Sequence, residues 1–204
     1  MRFGYVKGNS LTNLDPLGLS QIAVAGDNDK LGIQSGNFRF LTPGEKEIVN
    51  KHFNNNINLD EVQIYNKGYA NGLLNNRVSA PNGNVYVGPK NNSLGWDEDY
   101  SNNRLRDQSV LIHEMTHVYQ TQNGKGSLID DAIVAKIQHP FSDKNMYTPD
   151  INFNSNGRVT STWDDLNIEQ QATVSEKVFL ENNNPGYSAP QGYSEVFKTS
   201  GICP

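Results

Sequence analysis

The segment LIHEMTHVYQ at residues 111–120 constrains the fold of this chain more than any other stretch. It places His113 and His117 four positions apart, with Glu114 directly after the first histidine. On an α-helix, residues at i and i+4 lie on the same face, so both imidazoles can point towards one ion. Glu114 lies about 100° around the helix from His113, close enough to reach a water on that ion. The H-E-x-x-H spacing therefore predicts two metal-ligating imidazoles and a carboxylate general base on one helix.

The residues around this motif predict that its helix is buried. Apolar side chains occur on more than one side of the helix, at Val110, Leu111, Ile112, Met115, Val118 and Tyr119. A helix that is apolar on most faces packs inside a domain, which suits a metal site at the domain centre. Asp107 is expected to cap the helix, and Asn123-Gly124 to end it. Two histidines that share a helix face by chance are the weaker interpretation of this pattern.

A catalytic zinc ion needs a third protein ligand and an open position for water. The longer spacing H-E-x-x-H-x-x-G-x-x-H is excluded, because Gln120 and Asn123 occupy its last two positions. Glu169 is the favoured third ligand, since it lies in the first turn of a helix predicted some tens of residues downstream. His139 and Asp131 remain as alternatives.

Glu176 is a candidate for a residue that contacts a ligating histidine without itself binding the metal. It follows Glu169 by seven residues, which is two helical turns along one face. Its carboxylate is expected to accept a hydrogen bond from a ligating histidine and so orient that ring.

Elsewhere the sequence predicts short elements joined by polar loops. Thr42 and Glu45 form a capping box for a helix that runs to Phe53, in which His52 is expected to pack against the core rather than bind metal. The other predicted elements are strands at 62–65 and 84–88, a helix at 128–138, a loop at 141–162, a last helix from Asp164 or Asp165 to Asn182, and an irregular tail after it.

Length and composition exclude several classes of protein. With 204 residues the chain can bury one sizeable core, although hydrophobic residues make up only 35% of it. The formal net charge is −5 with both signs interspersed, so nucleic-acid binding is not predicted. No apolar run approaches the roughly 18 residues of a membrane span, and residues 1–19 lack the apolar segment of a secretory signal. Cys203 is the only cysteine, so an intrachain disulfide is excluded.

The N-terminal segment differs from the rest of the chain. Residues 1–37 are glycine-rich without apolar periodicity, and we expect a leader or linker there. Within it, FGYVKGNSLTNLDPLGL resembles the end of the Rhs/YD-repeat core, whose D-P-x-G-L signature is present as Asp15, Pro16, Gly18 and Leu19. In that family the signature precedes a variable C-terminal toxin domain, which implies self-cleavage after Leu19. One departure is Ser10, where many members carry proline.

A second resemblance covers roughly residues 40–182. LTPGE, a V-x-I strand, an N-x-Y-V-G strand, HEMTHVYQ and NIEQQA follow the order seen in zincin-type metallopeptidase domains at the ends of polymorphic toxins. This resemblance implies that His113, His117 and Glu169 bind zinc and that Glu114 is the general base. It also implies an α+β, zincin-like domain over residues 38–204, with a small sheet packed on the motif helix and a second helix that carries a ligand.

These patterns together predict a zinc-dependent hydrolase, a peptidase in the first place, that acts as an effector toxin. Zn²⁺ would acidify a water molecule, and Glu114 would carry its proton to the leaving amine. The strand Asn84–Gly88 precedes the motif helix, where zincins place an edge strand, so the resemblance implies that an extended substrate pairs with it. Three tyrosines are alternative partners for the oxyanion, namely Tyr147, Tyr187 and Tyr193.

Two other functions fit the same residues. In the first, a fourth ligand such as His139 or Asp131 closes a structural metal site, and the domain blocks its target by binding it. In the second, the metal centre acts as an amidase on cell-wall peptide. The toxin resemblance also implies a protein or peptide substrate and a cognate immunity protein. Delivery into target cells by a specialised secretion system is expected, with cytoplasmic residence as the alternative.

Overall fold

The structure is a computed structural model that describes residues 38–69, 78–88, 95–125 and 146–202. Within these ranges, a four-stranded sheet and four α-helices surround one apolar core. This arrangement confirms the predicted α+β class. The predicted leader at 1–37 and the predicted helix at 128–138 lie outside the described residues.

The sheet consists of four short strands in the order β1-β2-β4-β3. Their bounds are β1 Phe38–Phe40, β2 Gln63–Tyr65, β3 Val78–Ser79 and β4 Val85–Val87. β1 pairs antiparallel with β2, β2 pairs parallel with β4, and β4 pairs antiparallel with β3. Arg39, Ile64 and Val85 stand in register across three strands, and all three are buried on the face that meets the core.

The predicted strand at 84–88 is present as β4, but it does not lie at the edge of the sheet. β2 pairs along one side of β4 and β3 along the other, so its backbone groups are engaged within the sheet. The prediction that an extended substrate pairs with this strand is therefore wrong. β3 carries no strand signal in the sequence because it is only two residues long.

Helix α1 spans Pro43–Phe53, and its start follows the predicted capping box. The Thr42 hydroxyl accepts the backbone N–H of Glu45 at 3.1 Å, and a Glu45 carboxylate oxygen accepts the backbone N–H of Thr42 at 2.8 Å. Two N–H groups that the helix itself cannot satisfy are thereby paired. The capping-box prediction is confirmed.

Helix α2 spans Leu105–Gln120 and carries the H-E-x-x-H motif. The apolar residues Leu111, Ile112, Met115 and Val118 are buried, as their pattern predicts. Arg104, not Asp107, is the N-cap, and Asp107 lies in the first turn, where its carboxylate accepts a hydrogen bond from Arg104 Nε at 3.1 Å. An acidic side chain is favourable there because the first N–H groups of a helix carry partial positive charge.

Helix α3 spans Ile168–Asn183. Asn167 is its N-cap, because the Asn167 side chain accepts the backbone N–H of Gln170 at 2.9 Å and the Gln170 side chain accepts that of Asn167 at 3.0 Å. The predicted caps, Asp164 and Asp165, belong instead to a separate 3-10 turn. Glu169 nevertheless lies in the first turn of the helix, as predicted.

The tail contains a helix, so the prediction of an irregular tail is wrong. Helix α4 spans Tyr193–Lys198, and its apolar residues Tyr193, Val196 and Phe197 are buried in the core. Among the helices of the described ranges, none is long and apolar enough to cross a bilayer.

A fully buried ion pair joins the sheet to α1. The Arg39 guanidinium donates to both carboxylate oxygens of Glu45 at 2.8 Å. Arg39 also donates to the carbonyls of Trp96 and Glu98, each at 2.6 Å, and Glu45 accepts the backbone N–H of Tyr100 at 3.0 Å. A buried ion pair is tolerated when further hydrogen bonds satisfy both of its charges. The network therefore fixes β1 and α1 against the segment that precedes α2.

His52 packs against the aromatic residues of the core, as the sequence predicts. Its ring stacks on Phe197 at 5.0 Å between centroids and meets Phe53 and Phe179 edge-on. His52 Nε2 lies 2.9 Å from the Ser175 hydroxyl oxygen. Burial lowers the pKa of His52 to about 4, so the ring is neutral at physiological pH.

The buried ion pair predicts a large effect of Glu45→Gln on stability. The substitution leaves the Arg39 charge buried without its counter-ion, so we expect the free energy of unfolding to fall by about 3–5 kcal/mol. Urea denaturation measures this change. The matched control is Glu47→Gln, because Glu47 is exposed on the same helix, and a shift within about 0.5 kcal/mol is expected there. Equal effects of the two substitutions would contradict the role given to the pair.

His52 predicts a dependence of stability on pH. Between pH 6.5 and 4 the unfolded chain binds a proton at His52 that the folded chain rejects. The free energy of unfolding therefore decreases as the pH is lowered through this window. His52 contributes at most about 1.4 kcal/mol per pH unit to this decrease. Urea denaturation at several pH values measures the free energy of unfolding. A plot of this free energy against pH should be less steep for His52→Gln than for the wild type. Identical slopes would rule out this contribution.

Candidate metal centre

The two helices that carry the predicted ligands lie side by side and run in opposite directions. Gln120 at the end of α2 contacts Ile168 at the start of α3, whereas His113, two turns earlier, reaches Glu176. This pairing turns the histidine-bearing face of α2 towards the first turns of α3.

His113, His117 and Glu169 come together between these helices. One potential ligand atom from each residue lies within 4.8 Å of the other two. Both histidines present Nε2 to the same carboxylate oxygen of Glu169, at 3.4 Å from His113 and 3.5 Å from His117. The imidazole rings are 5.3 Å apart between centroids and nearly perpendicular. The side chains of His117 and Glu169 are almost fully buried.

These separations fit a tetrahedral zinc site. Ligand bonds of about 2.1 Å at tetrahedral angles put neighbouring donor atoms roughly 3.4 Å apart. The two nitrogen–oxygen distances to Glu169 match that value, and both exceed the usual length of an N–H···O hydrogen bond. Two imidazoles and one carboxylate are also a donor set that catalytic zinc sites use. The residues present therefore fit a zinc ion.

Three carboxylates make the surroundings of the two imidazoles negative. Burial lowers the pKa of His113, but Glu169, Glu176 and Glu114 outweigh it and raise that pKa to about 10. Burial raises the pKa of Glu169, yet its contacts with His113 and His117 leave that pKa well below the ordinary value. A protonated His113 thus offsets the carboxylates when no ion is bound. A divalent cation supplies the same compensation and displaces that proton.

Two further glutamates, Glu114 and Glu176, act on His113. Glu114 is buried on α2, and its charge acts on His113. Glu176 Oε2 lies 3.4 Å from His113 Nδ1, whereas the other ring nitrogen, Nε2, faces Glu169. Lys177 Nζ donates to the other oxygen of Glu176 at 2.8 Å. A carboxylate at this position can orient the ring of a ligating histidine through its second nitrogen.

One side chain that contacts a predicted ligand was not predicted from the sequence. His117 Nδ1 lies 2.8 Å from Gln120 Oε1, and both residues are buried. Gln120 follows His117 by three positions, so it lies on the same face of α2. The three-residue spacing of His117 and Gln120 is the signal in the sequence that indicates this contact.

Among the described residues, the ligand cluster has no histidine or acidic member besides His113, His117 and Glu169. His139, Asp131 and Leu19 lie outside the described residues. Tyr193 belongs to the apolar core, which suits a packing role. Tyr147 is 37% exposed, and the alternatives for an oxyanion partner stay open.

Comparison with known proteins relates the chain to a bacterial secretion system. No protein-family model matches it. Over 161 residues, which are 78% of this chain, it is 32% identical to the type VI secretion system spike protein VgrG2b of Pseudomonas aeruginosa. The match spans only 15% of the length of that spike protein.

A solved structure gives the same relationship. The effector domain of Pseudomonas aeruginosa VgrG2b matches with a TM-score of 0.60 and 28% sequence identity. The match covers 79% of this chain and 82% of that domain. The predicted relationship to an effector of a specialised secretion system is confirmed by this homology. The Rhs relationship stays a prediction.

The cluster geometry predicts that loss of Glu169 weakens zinc binding. Glu169→Gln removes the anionic donor that both histidines face, so we expect zinc affinity to fall by more than about 100-fold, beyond what loss of an outer partner costs. Competition with a chromophoric chelator measures the affinity. Glu181→Gln, on the same helix and away from the cluster, is the control and should bind zinc like the wild type. Unchanged affinity in Glu169→Gln would remove Glu169 from the site.

Proposed function

Because this chain is homologous to the effector domain of VgrG2b, we propose that it is a zinc-dependent peptidase that acts as a secreted effector toxin. The observation that carries the proposal is the convergence of His113, His117 and Glu169 at the separations of a tetrahedral zinc site. A peptidase also needs a base beside the metal, and Glu114 follows the first ligand directly on α2. The homology adds the effector context, which the geometry alone does not provide.

The number of donors supports a catalytic role over a structural one. Among the described residues, the cluster has three possible ligands and no fourth. Structural zinc sites are closed by four protein ligands, whereas catalytic sites keep one position for water or substrate. A site of three protein ligands leaves room for a substrate carbonyl, as hydrolysis requires.

The chain's own residues have defined roles in this proposal. When bound, zinc supplies Lewis acidity, which acidifies water and polarises the scissile carbonyl. The Glu114 carboxylate accepts a proton from the attacking water and later gives it to the nitrogen of the leaving amine. One C–O bond forms and one C–N bond breaks, and the proton that water loses to Glu114 ends on the nitrogen, so a neutral amine leaves. Glu176 keeps the His113 ring oriented through Nδ1.

The effector context also carries proposals about delivery and partners. We place the domain among cargo that a secretion system delivers into target cells, where it acts on a protein or peptide. A cell that makes such a hydrolase needs protection, so a cognate immunity protein is part of the proposal. The cleft between α2 and α3 is the surface such a protein would cover.

The test is Glu114→Gln, which removes the base but none of the three ligands. We expect zinc affinity within a few-fold of the wild type and peptide hydrolysis lower by about 100- to 10,000-fold. Hydrolysis of a quenched fluorescent peptide library measures activity, and chelator competition measures zinc. The control variant is again Glu181→Gln, which should keep both properties.

The same assay separates the rival functions. Activity on cell-wall peptides but not on the library would replace the peptidase proposal with an amidase. Zinc binding without any hydrolysis, together with toxicity that survives Glu114→Gln, would favour a toxin that acts by binding. Absence of zinc binding in the wild type would remove the whole proposal.

A further inference from the structure

We propose that Gln120 is a positioning residue that fixes the tautomer of His117 and, through the same amide group, the start of α3 beside Glu169. The inference deepens the proposed function and rests on it for the identity of the ion. Its support is a chain of hydrogen bonds in which each amide has only one acceptable orientation.

The Gln120 amide is held by three partners. Its carbonyl oxygen faces His117 Nδ1 at 2.8 Å, while its NH₂ group donates to the Ile168 carbonyl at 3.0 Å and to Gln171 Oε1 at 2.8 Å. Rotating this amide by 180° would direct its oxygen at a backbone carbonyl, which has no proton to donate. Because Gln120 is 1% exposed, water cannot repair such a mismatch.

Gln171 is fixed in the same manner. Its NH₂ group donates to the backbone carbonyls of Trp163 at 2.9 Å and Leu166 at 3.3 Å. Its carbonyl oxygen must therefore face Gln120 and accept a hydrogen bond from the Gln120 NH₂ group. Gln171 is also 1% exposed, so both amides depend on protein partners. The backbone carbonyls of the turn before α3 thus determine the orientation of two successive side chains.

This chain of amides ends on His117. The Gln120 oxygen can only accept, so the proton of a neutral His117 must sit on Nδ1. The other nitrogen, Nε2, then has a free lone pair, and it is the one that faces Glu169 at 3.5 Å. A neutral imidazole with its lone pair directed at the cluster is the form that binds a metal. The hydrogen bonds therefore prepare His117 before any ion arrives.

The same amide also acts on the third ligand. The Ile168 carbonyl that Gln120 holds belongs to the residue directly before Glu169. Gln120 thereby connects the last turn of α2 to the first turn of α3, where the carboxylate ligand begins. One side chain therefore sets both the ring state of His117 and the approach of Glu169.

The two histidines have different supports. His113 faces the carboxylate of Glu176 through Nδ1, whereas His117 faces a neutral amide. A second buried carboxylate at His117 would add to the negative charge of three glutamates around two rings. A neutral acceptor provides orientation without that charge, which suits a buried pocket that is already acidic.

The central test compares Gln120→Leu with Gln108→Leu. Leucine is similar in size to glutamine but accepts no hydrogen bond. Gln108 is the matched control, because it lies on α2 and donates to two backbone carbonyls, of Ser101 and Asn103, without contacting a ligand. We expect Gln120→Leu to weaken zinc binding by about 10- to 100-fold in chelator competition, and Gln108→Leu to leave it unchanged. Far-ultraviolet circular dichroism checks that both variants fold.

Two further readouts separate tautomer control from a merely structural connection. Proton–nitrogen correlation spectra of the histidine rings, recorded without metal, should show His117 protonated at Nδ1 in the wild type and a mixture of tautomers in Gln120→Leu. Gln120→Glu keeps an acceptor for Nδ1 but loses both donors to α3. Its zinc affinity should therefore lie closer to the wild type than that of Gln120→Leu.

Each outcome decides a different claim. Wild-type zinc affinity and an unchanged tautomer in Gln120→Leu would overturn the inference and leave the proposed function standing. Equal weakening in Gln120→Leu and Gln120→Glu, with the His117 tautomer unaltered, would reduce Gln120 to a structural connection and also overturn it. If the wild type binds no zinc, the proposed function fails first, and the tautomer spectra still test whether Gln120 orients the ring.

Discussion

The contact between Glu169 and the two histidines of α2 is the interaction on which the centre of this protein depends. Burying a carboxylate is costly unless a positive group or several donors compensate for it. Glu169 is buried between α2 and α3, and its compensation comes first from His113, whose Nε2 lies 3.4 Å from the Glu169 carboxylate. Since Glu114 and Glu176 add further negative charge, a protonated histidine or a bound cation is needed to balance the cleft. The pairing of the two helices and the capacity to hold a metal therefore have the same physical origin.

Much of this centre was predictable because helices have a fixed period. The four-residue spacing of His113 and His117 and the seven-residue spacing of Glu169 and Glu176 each define a helix face. These two faces meet in the structure, and each of them follows from local spacing alone. The capping box at Thr42 was predictable for a similar reason, since its two hydrogen bonds involve residues three positions apart.

The errors concern features that depend on tertiary pairing or on competing local signals. The resemblance to zincins placed β4 at the edge of the sheet, and the pairing of two residues at 78–79 makes it internal. The cap of α3 was misassigned because two capping boxes follow one another, one closed by Asp165 and the next by Gln170. Short helix α4 was missed because six residues are too few to show a period, and its stability comes from burial of Val196 and Phe197.

The scaffold and the site use buried polar groups in different ways. In the Arg39–Glu45 network the charges neutralise each other, and backbone groups satisfy what remains, so the network closes on itself. Around the histidines three carboxylates face one imidazole, and the neutral amides of Gln120 and Gln171 orient the other ring without adding charge. The first arrangement stabilises a fold, whereas the second leaves a site prepared for a cation. Homology to a secretion-system effector domain gives that site its biological setting.

The most direct test of this account is a crystal structure of the protein grown with zinc, with anomalous diffraction recorded at the zinc absorption edge. The account predicts one strong peak between α2 and α3, bonded at about 2.0–2.2 Å to Nε2 of His113, Nε2 of His117 and the carboxylate of Glu169, with a further position open to solvent. A zinc-grown crystal without a peak there, or with a peak whose ligands exclude Glu169, would contradict it.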